Sequence, residues 1–388
     1  MVPATSKTIT EGSSIFVGVE MQEDLAVKLL AKVLGWDTAT VRTELRPLLH
    51  LGRLKYDQYQ QFSPGMRFIE SLALWLNQFD SGNERDVAFS MFRDLAVFIS
   101  AAEMDHLVEM AYPDVLRPRI IRLAAKAEPS YRVRRIIQSE NYKAIQARTL
   151  YVGLSDGAQT GLFRRYNPGV VEHEQTLLTY QSDDEKLEDL ADHLRKSVSA
   201  VSPSAQEKDF TFRVVVLLDD FTASGLSFFR WDDKKQRHTG KLVKALEKLT
   251  GAYKDLMCPT GFEAFVCFYV ATKDALERLQ EELTAFVTDA PLPIGVQVVA
   301  VHTLPTSIRV DVETRQGLDE LLRKYFDPEV VTRHWKIAKH DKGWLGYGEC
   351  GLPLIISHNT PNNSLPILWF GDEYLFRGLF PRTSRHTT

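Results

Sequence analysis

The sequence is poor in cysteine, in long apolar runs and in net charge. It has only three cysteines among 388 residues, far apart and without a C-x-x-C pair. This usage argues against a cysteine-built zinc site and suits a reducing compartment. No uninterrupted apolar run approaches the roughly 20 residues that span a bilayer. The formal net charge of −4 excludes a globally basic nucleic-acid binder, although not a local basic patch.

The first residues, MVPATSKTITEGSSIF, lack the basic and apolar stretches of a secretory signal peptide. The cytoplasm is therefore the expected compartment. What the chain does contain is globular: 44% of its residues are hydrophobic and 25% are charged, which is more apolar material than disordered chains carry. A length of 388 residues favours two domains over one compact core.

Two halves of the chain have different apolar spacing, with the change near residue 146. Residues 1–145 predict a helical domain, because apolar residues recur at helical spacing in 24–34, 66–79 and 85–99. A short strand is predicted ahead of them at 14–19. Residues 146–388 predict an α/β domain with a mainly parallel sheet, because short apolar runs alternate with helical stretches. The strand runs are 149–154, 210–218, 262–270, 296–301 and 352–356, and the helical stretches are 184–198, 241–249 and 273–286.

The most informative segment is VVVLLDDFTASGLS, residues 214–227. Its first five residues form an unbroken apolar run that is typical of a central parallel strand buried on both faces. Asp219 and Asp220 follow at the carboxyl end of that strand, where open α/β sheets bind ligands. The small and hydroxylic residues after them can direct backbone N–H groups at a phosphate, next to a helix N-terminus. Paired acids that only cap a turn are the alternative.

This segment resembles the signature of type I phosphoribosyltransferases that binds 5-phosphoribosyl 1-pyrophosphate (PRPP). The resemblance implies that Asp219 and Asp220 are catalytic residues that bind the ribose hydroxyls. It implies a phosphoribosyltransferase-like, Rossmann-type sheet, PRPP or a related ribose-phosphate as ligand, and Mg²⁺ as cofactor, with no protein ligand of the metal assigned. The residues that it assigns to the 5′-phosphate are Thr222, Ala223, Ser224, Gly225, Leu226 and Ser227.

A second loop, SDGAQTG at 155–161, follows the predicted strand 149–154. In the same family the first strand ends in a loop that holds pyrophosphate, so by resemblance Ser155, Asp156 and Gly157 occupy that place. The stretch also satisfies G-x-S-x-G, the nucleophile elbow of α/β-hydrolases, and Ser155, Asp220 and either His302 or His358 obey the chain order of a hydrolase triad. The helical character of the preceding residues disfavours a hydrolase, which places several strands before its elbow.

Two further regions carry candidate binding residues. The tail 343–370 is rich in glycine, asparagine and aromatics, and its side chains at His358, Asn359, Asn362 and Asn363 are candidate acceptor-binding groups. An Asx-rich connector that satisfies its own backbone is the alternative. The tail, expected to form a hood-like region, also resembles phosphoribosyltransferase-like proteins of bacterial conflict and defence loci, including retron operons. The basic stretch 117–135 is a candidate contact for a protein or RNA partner, or a solvated helical face.

Three functions follow from these patterns. The first is a Mg²⁺-dependent pentosyltransferase, with an antiphage defence role implied by the second resemblance. The second is a nucleotide-sensing or regulatory module with the same fold and no turnover. The third is the serine hydrolase. Two departures from the family argue against the pentosyltransferase function. Ala223 stands where purine-salvage members carry Asp, and residues 172–208 predict a helix where the family has its mobile catalytic loop.

Overall fold

The computed structural model describes residues 24–64, 66–127, 130–178, 184–331, 335–336 and 341–383. The predicted strand at 14–19 lies outside these ranges. The chain forms two compact units, which are described separately: one comprises residues 102–309 with 333–340, and the other comprises 1–101, 310–332 and 341–388. Among the described residues, no helix combines the length and apolar character needed to cross a lipid bilayer.

A five-stranded, wholly parallel sheet is the centre of the first unit. The strand order is β3-β2-β4-β7-β8. These strands are β2 (Thr149–Gly153), β3 (Thr176–Leu178), β4 (Val214–Thr222), β7 (Phe262–Thr272) and β8 (Ile294–Leu304). Between β4 and β7 lies an antiparallel hairpin of β5 (Arg230–Asp232) and β6 (Arg237–Thr239).

Helices cover both faces of this sheet. One face packs its apolar side chains, among them Leu217 and Phe268, against α10 (Asp184–Val201), α11 (Lys241–Thr250) and α12 (Lys273–Val287). On the opposite face Tyr151 packs against Phe163 of α9. A π-helical turn, Ala111–Leu116, contacts β7 and β8. The remaining helices of the unit are α5 (Ala101–Met110), α6 (Arg117–Ala125), α7 (Val133–Gln138), α8 (Glu140–Ala147) and α9 (Thr160–Tyr166).

The compact units and the predicted domains have different bounds. Residues 102–147, which the sequence places in the helical half, lie in the same unit as the sheet. The physical reason is that β4 and β7 are buried over almost their whole length, so both faces need helices. The division at 145/146 into separately folding domains stays a prediction. The mixed fold class, helices together with a mainly parallel sheet, is confirmed.

The second unit is mainly helical and contains a small two-stranded parallel sheet. Its strands are β1 (Val97–Ile99) and β9 (Leu354–Ile356), so the predicted strand 352–356 exists but does not join the large sheet. The helix predicted over 85–99 ends earlier, at Leu95, because the last three residues form β1. The helices are α1 (24–34), α2 (Thr38–Leu54), α3 (Phe68–Asn77), α4 (Gly82–Leu95), α13 (Leu318–Lys324) and α14 (Pro366–Trp369).

Local sequence signals and aromatic packing hold this unit together. Asp37 caps α2, and Ser81 with Glu84 forms a capping box at the start of α4. Phe380, near the end of the described chain, packs in an aromatic cluster that includes Tyr56 and Phe68. Aromatic pairs of this kind add stability beyond the area they bury.

We expect Leu217→Ala to lower the free energy of unfolding by about 2–5 kcal/mol, because Leu217 is 0% exposed in the core between β4 and α11 and its truncation leaves a cavity. Urea denaturation measures the change. The matched control is Val133→Ala on α7, whose side chain is largely exposed and whose loss should change stability by no more than about 0.5 kcal/mol. Equal effects of the two substitutions would contradict this account of the core.

Candidate functional site

The carboxyl ends of β2 and β4 meet at the point where the strand order of the large sheet reverses. Chain order runs β2, β3, β4, but β3 lies on the outer side of β2, so β2 and β4 are neighbours. Gly153, the last residue of β2, is paired with Leu218, directly before the acid pair. Ligands of open α/β sheets bind at such a switch point. The two loops that the sequence singled out therefore lie side by side.

Asp219 is buried at this edge and both of its carboxylate oxygens have partners. Ser155 donates its hydroxyl proton to Oδ1 at 2.5 Å, and the Asp220 backbone N–H donates to the same oxygen at 3.1 Å. Lys241 Nζ donates to Oδ2 at 2.7 Å. Asp219 is 0% exposed and Lys241 is 37% exposed, so the ammonium group links the buried acid to solvent. One carboxylate thus joins the β2 loop, β4 and the start of α11.

The pKa of Asp219 is raised to about 6, mainly by burial and secondly by the nearby charge of Asp220. The ammonium of Lys241 and the hydroxyl of Ser155 act in the opposite direction, because both favour the charged carboxylate. Perturbed carboxyl pKa values of this kind concentrate at functional sites, although structural ion pairs produce them as well. The position at a switch point favours the functional interpretation.

Asp220 lies on the other side of the strand from Asp219, as the alternation of side chains in β4 requires. Its carboxylate rests against the backbone of Gly157: a Cβ atom at that position would lie 2.5 Å from Cγ of Asp220. Glycine is therefore required at 157 if the acid keeps its place. Asp220 is partly exposed and Phe221 N–H donates to its Oδ1 at 2.8 Å. Of the two acids, Asp220 is the one that a ligand can reach.

The loop 155–159 is held in place by a buried side chain of β7. Tyr269 of β7, which is fully buried, donates its hydroxyl to the carbonyl of Ala158 at 2.5 Å. Gln159 ends the turn with a left-handed backbone, φ 45°. Within the described part of the chain, the N–H groups of Ser155 and Gly157 have no protein acceptor. Backbone donors of this kind suit an anion, which makes the loop a candidate phosphate cradle.

The loop after β4 is held through its carbonyl groups. Thr272 Oγ1 donates to the carbonyl of Ala223 at 2.6 Å, and Arg278 Nη1 donates to that of Ser224 at 2.6 Å. Gly225 has a left-handed φ of 72°, a conformation that favours glycine. Leu226 N–H faces Ser224 Oγ at 3.4 Å, whereas no acceptor among the described residues meets the N–H groups of Gly225 and Ser227. The loop thus keeps donors for a second anion.

The structure brings together the residues predicted at 155–157 and 219–227, and their assigned ligand contacts stay predictions. The candidate acceptor-binding residues lie in the other unit. There the Asn363 amide donates to the carbonyl of Tyr347 at 2.6 Å, and the Asn359 amide donates to that of Thr383 at 3.3 Å. These two bonds favour the connector interpretation for Asn359 and Asn363. His358 and Asn362 contribute backbone carbonyls to other hydrogen bonds.

The basic stretch 117–135 includes all of α6 and the first residues of α7. Arg132, Arg134 and Arg135 are exposed and line a shallow groove. The Arg119 side chain is partly buried. Its guanidinium donates to the carbonyl of Val115 at 2.6 Å, and burial lowers its pKa. The stretch is thus mostly a solvated face with one structural arginine, and its contact with a protein or RNA partner stays a prediction.

The geometry disfavours a serine hydrolase. Ser155 has an ordinary extended backbone, φ −157° and ψ 177°, whereas a nucleophile elbow holds its serine in a strained turn. Its hydroxyl donates to a carboxylate, and in the described residues no histidine is hydrogen-bonded to it. His302 lies exposed on β8. The serine–histidine pair on which the triad mechanism depends is therefore not formed among the described residues.

Two contacts at this site were not predicted. Lys241 is the first residue of α11, where a cation is disfavoured by the helix dipole, and that mismatch was a signal that a carboxylate lies nearby. The Lys241 ammonium also lies 4.7 Å from the centre of the Phe228 ring. Tyr269 gave no signal, because a tyrosine in a buried apolar strand is common and its hydroxyl partner is distant in sequence.

The parallel doubly wound sheet, with an acid pair and two donor-rich loops at its switch point, defines a phosphoribosyltransferase-type α/β domain. The chain belongs to the PRTase-CE family, whose family model matches residues 72–382. No significant match was found among curated proteins or among solved structures. The family match confirms the resemblance to phosphoribosyltransferases; the branch found in retron operons is not addressed by it.

Replacing Asp219 should change how stability depends on pH. Because its folded-state pKa of about 6 lies above the ordinary 3.8, its contribution to stability is fully present below pH 3.8 and is lost as the pH rises through 6. Relative to Asp219→Asn, the wild-type unfolding free energy should fall by roughly 2 kcal/mol between about pH 4 and pH 7.

Urea denaturation of both proteins across this range provides the measurement. Asp255→Asn, which replaces an exposed aspartate of the same unit, is the control and should follow the wild-type curve. A constant difference between wild type and Asp219→Asn at every pH would show that Asp219 does not titrate as described.

Proposed function

We propose that the chain is a Mg²⁺-dependent pentosyltransferase that binds PRPP or a related ribose-phosphate donor at the switch point of its large sheet. The supporting observation is the position of Asp220: its partly exposed carboxylate lies against Gly157, and each of the two neighbouring loops has N–H groups without an acceptor in the described protein, those of Ser155 and Gly157 in one and of Gly225 and Ser227 in the other. One acid flanked by two anion cradles matches a sugar that carries a phosphate at one end and a pyrophosphate at the other.

The two loops and the two acids receive separate roles in this proposal. The loop 222–227 binds the 5′-phosphate and the loop 155–157 binds the pyrophosphate. Asp220 accepts hydrogen bonds from the ribose hydroxyls. Asp219 serves as a positioning residue, because Ser155 and Lys241 already occupy its oxygens. It fixes the pyrophosphate loop to β4 and so holds that loop beside Asp220.

The transfer breaks the bond between C1 of the ribose and the pyrophosphate oxygen and forms a bond between C1 and the acceptor. Positive charge develops on the ribose ring while the leaving group takes the electron pair. A carboxylate in place before the reaction stabilises this charge without reorganisation. The acceptor provides the new bonding electrons and loses its proton to solvent or to a neighbouring base.

The residues at the switch point fit a magnesium ion. Mg²⁺ prefers oxygen ligands and is held by one or two carboxylates together with substrate phosphates and water. Asp220 and the exposed Asp156 are the acids on this chain that would hold it. The metal would neutralise charge on the departing pyrophosphate. The one cluster with three metal-ligand side chains among the described residues, Glu172, Glu174 and His193, lies on other segments of the unit.

Other parts of the proposal rest on the sequence alone. The acceptor is assigned to no compound, and His358, Asn359, Asn362 and Asn363 stay its candidate contacts. An antiphage defence role rests on the resemblance to proteins of conflict loci, and a protein or RNA partner rests on the charge of 117–135. These assignments rest on no observation that also supports the ribose-phosphate site, so each must be tested independently of that site.

A nucleotide-sensing module without turnover is the second candidate, and one observation favours it. The chain between β3 and β4, where the family has its mobile catalytic loop, contains the helix α10. No lysine or arginine of that segment is assigned to the site. A ligand could therefore bind between the two loops without being turned over. Pyrophosphate release in the presence of candidate acceptors separates this module from a transferase.

We expect Asp220→Asn to weaken PRPP binding in the presence of Mg²⁺ at least tenfold, because hydrogen bonds to a charged group contribute about 1.5–3 kcal/mol. Gly157→Ala should have a similar effect, since its Cβ would collide with the Asp220 carboxylate. Isothermal titration calorimetry measures both, and circular dichroism verifies that the variants are folded.

The control is Asp255→Asn, which should bind as the wild type does. Ser155→Ala should retain binding within a few fold, because the Tyr269 hydroxyl still holds the loop at the carbonyl of Ala158 and the donors assigned to pyrophosphate are backbone N–H groups. Loss of a hydrolytic activity in this variant would instead indicate a serine hydrolase. Undiminished PRPP affinity in Asp220→Asn would refute the assignment of the site.

A further inference from the structure

A cavity of about 810 Å³ lies on the sheet face that α11 and α12 cover. The hairpin β5–β6 covers it, and the second halves of α11 and α12 form its sides. Ile294, the first residue of β8, also lines it. Ile294 is paired with Phe262, whereas Thr222 is paired with Ala271, nine residues further along β7. That separation is about 30 Å along the strand, so the cavity extends to the far end of the sheet.

Aromatic rings make up much of the cavity wall. Phe229, Trp231, His238 and Phe286 line it and contact one another, with His238 stacked on Phe229 at 4.6 Å and in edge contact with Trp231 at 5.0 Å. A cavity of this volume with mainly apolar walls and few polar groups is typical of a small-molecule site. Flat aromatic walls favour a flat, aromatic ligand.

The polar groups of the cavity narrow the ligand class. Glu247, Glu282 and Asp289 line it, and no lysine or arginine does so among the described residues. Glu282 and Glu247 are paired with Arg278 at 3.0 Å and Arg237 at 3.5 Å, neither of which lines the cavity, so the three carboxylates outnumber these two arginines and a phosphate would meet a net negative charge. Carboxylates instead accept hydrogen bonds from N–H groups. Neither ring nitrogen of His238 has a partner in the described protein, and Nδ1 is buried, so this ring retains hydrogen-bonding capacity at the cavity wall.

We propose that this cavity is a second ligand site, which takes a flat, unphosphorylated heteroaromatic molecule with N–H donors, of the nucleobase or nucleoside class. The aromatic rings contact its faces and the carboxylates accept its N–H groups. The same arrangement rejects the corresponding nucleotide through charge.

One side chain links this cavity to the phosphate loop. Arg278 of α12 donates to the carbonyl of Ser224 at 2.6 Å and to the carbonyl of Phe229 at 3.2 Å. The same guanidinium is paired with Glu282, at 3.1 Å from Nε to Oε1 and 3.0 Å from Nη2 to Oε2. Ser224 belongs to the loop 222–227, whereas Phe229 and Glu282 line the cavity. A ligand that engages Glu282 competes with Arg278 and loosens its hold on the loop.

Occupancy of the cavity should therefore weaken ribose-phosphate binding. This coupling rests on the function proposed above, whereas binding of a ligand in the cavity is independent of that function. Coupling between two sites typically amounts to a factor of five or more. By reciprocity, PRPP should weaken binding of the heteroaromatic ligand by the same factor. Arg278→Ala should remove the coupling, and it should not weaken binding in the cavity, because the competitor for Glu282 is gone.

The test titrates the full chain with adenine, guanine, cytosine and uracil, with their nucleosides, and with their 5′-monophosphates, by calorimetry. We expect at least one free base or nucleoside to bind at least tenfold more tightly than its monophosphate. Trp231→Ala, which removes a half-exposed ring of the wall, and Thr250→Trp, which fills the space, should each reduce that affinity at least tenfold.

Tyr131→Ala is the matched control, because it removes another exposed aromatic ring of the same unit, away from the cavity, and should leave the affinity unchanged. The proposal is overturned if no base or nucleoside binds, or if their binding survives both cavity variants and is lost in Asp220→Asn, which would place them at the transfer site. Binding of a base without any binding of PRPP would sink the pentosyltransferase proposal and leave the cavity assignment standing.

Discussion

The switch-point site depends on one buried carboxylate with a defined set of partners. Removing a charged acid from water is unfavourable unless hydrogen bonds and an opposite charge replace the lost hydration. At Asp219 these are provided by a hydroxyl from the loop after β2 and an ammonium from the first turn of α11. The requirement to satisfy this acid therefore fixes three segments that are far apart in sequence. The position of the loop 155–157 beside Asp220 follows from that arrangement, whereas Thr272 and Arg278 hold the loop after β4.

The strand and loop preceding a ligand site were predictable because their chemistry is local. The apolar run that ends at Leu218, the two acids and the small residues after them all act within fourteen positions, and burial on both faces of β4 follows from the run itself. The same holds for the loop at 155–157. Patterns of this kind require no knowledge of distant contacts, and the sequence therefore locates both halves of the site.

What the sequence could not provide is the difference between the two acids. Adjacent residues of a strand face opposite ways, but only the fold determines that the first meets Lys241 and the second meets the backbone of Gly157. The packing of 102–147 against the sheet was hidden for a related reason. Amphipathic helices show that they have an apolar face and do not show what covers it. Likewise, the partner of the short strand run 352–356 could not be predicted. That partner, β1, lies at the end of residues 85–99, whose apolar spacing is helical.

The chain order of the two units has a consequence for synthesis on the ribosome. Residues 102–309 form a continuous segment that can complete its sheet as soon as it has been translated, since domains fold as units from the N-terminus onward. The preceding residues must wait, because Val97 pairs with Leu354 and the Phe68 ring packs on Phe380. During that interval the apolar surfaces of the first helices lack their final partners. The segments α3 and β1 thus stay without these partners until residues 354–380 have been translated, which makes them expected binding sites for chaperones.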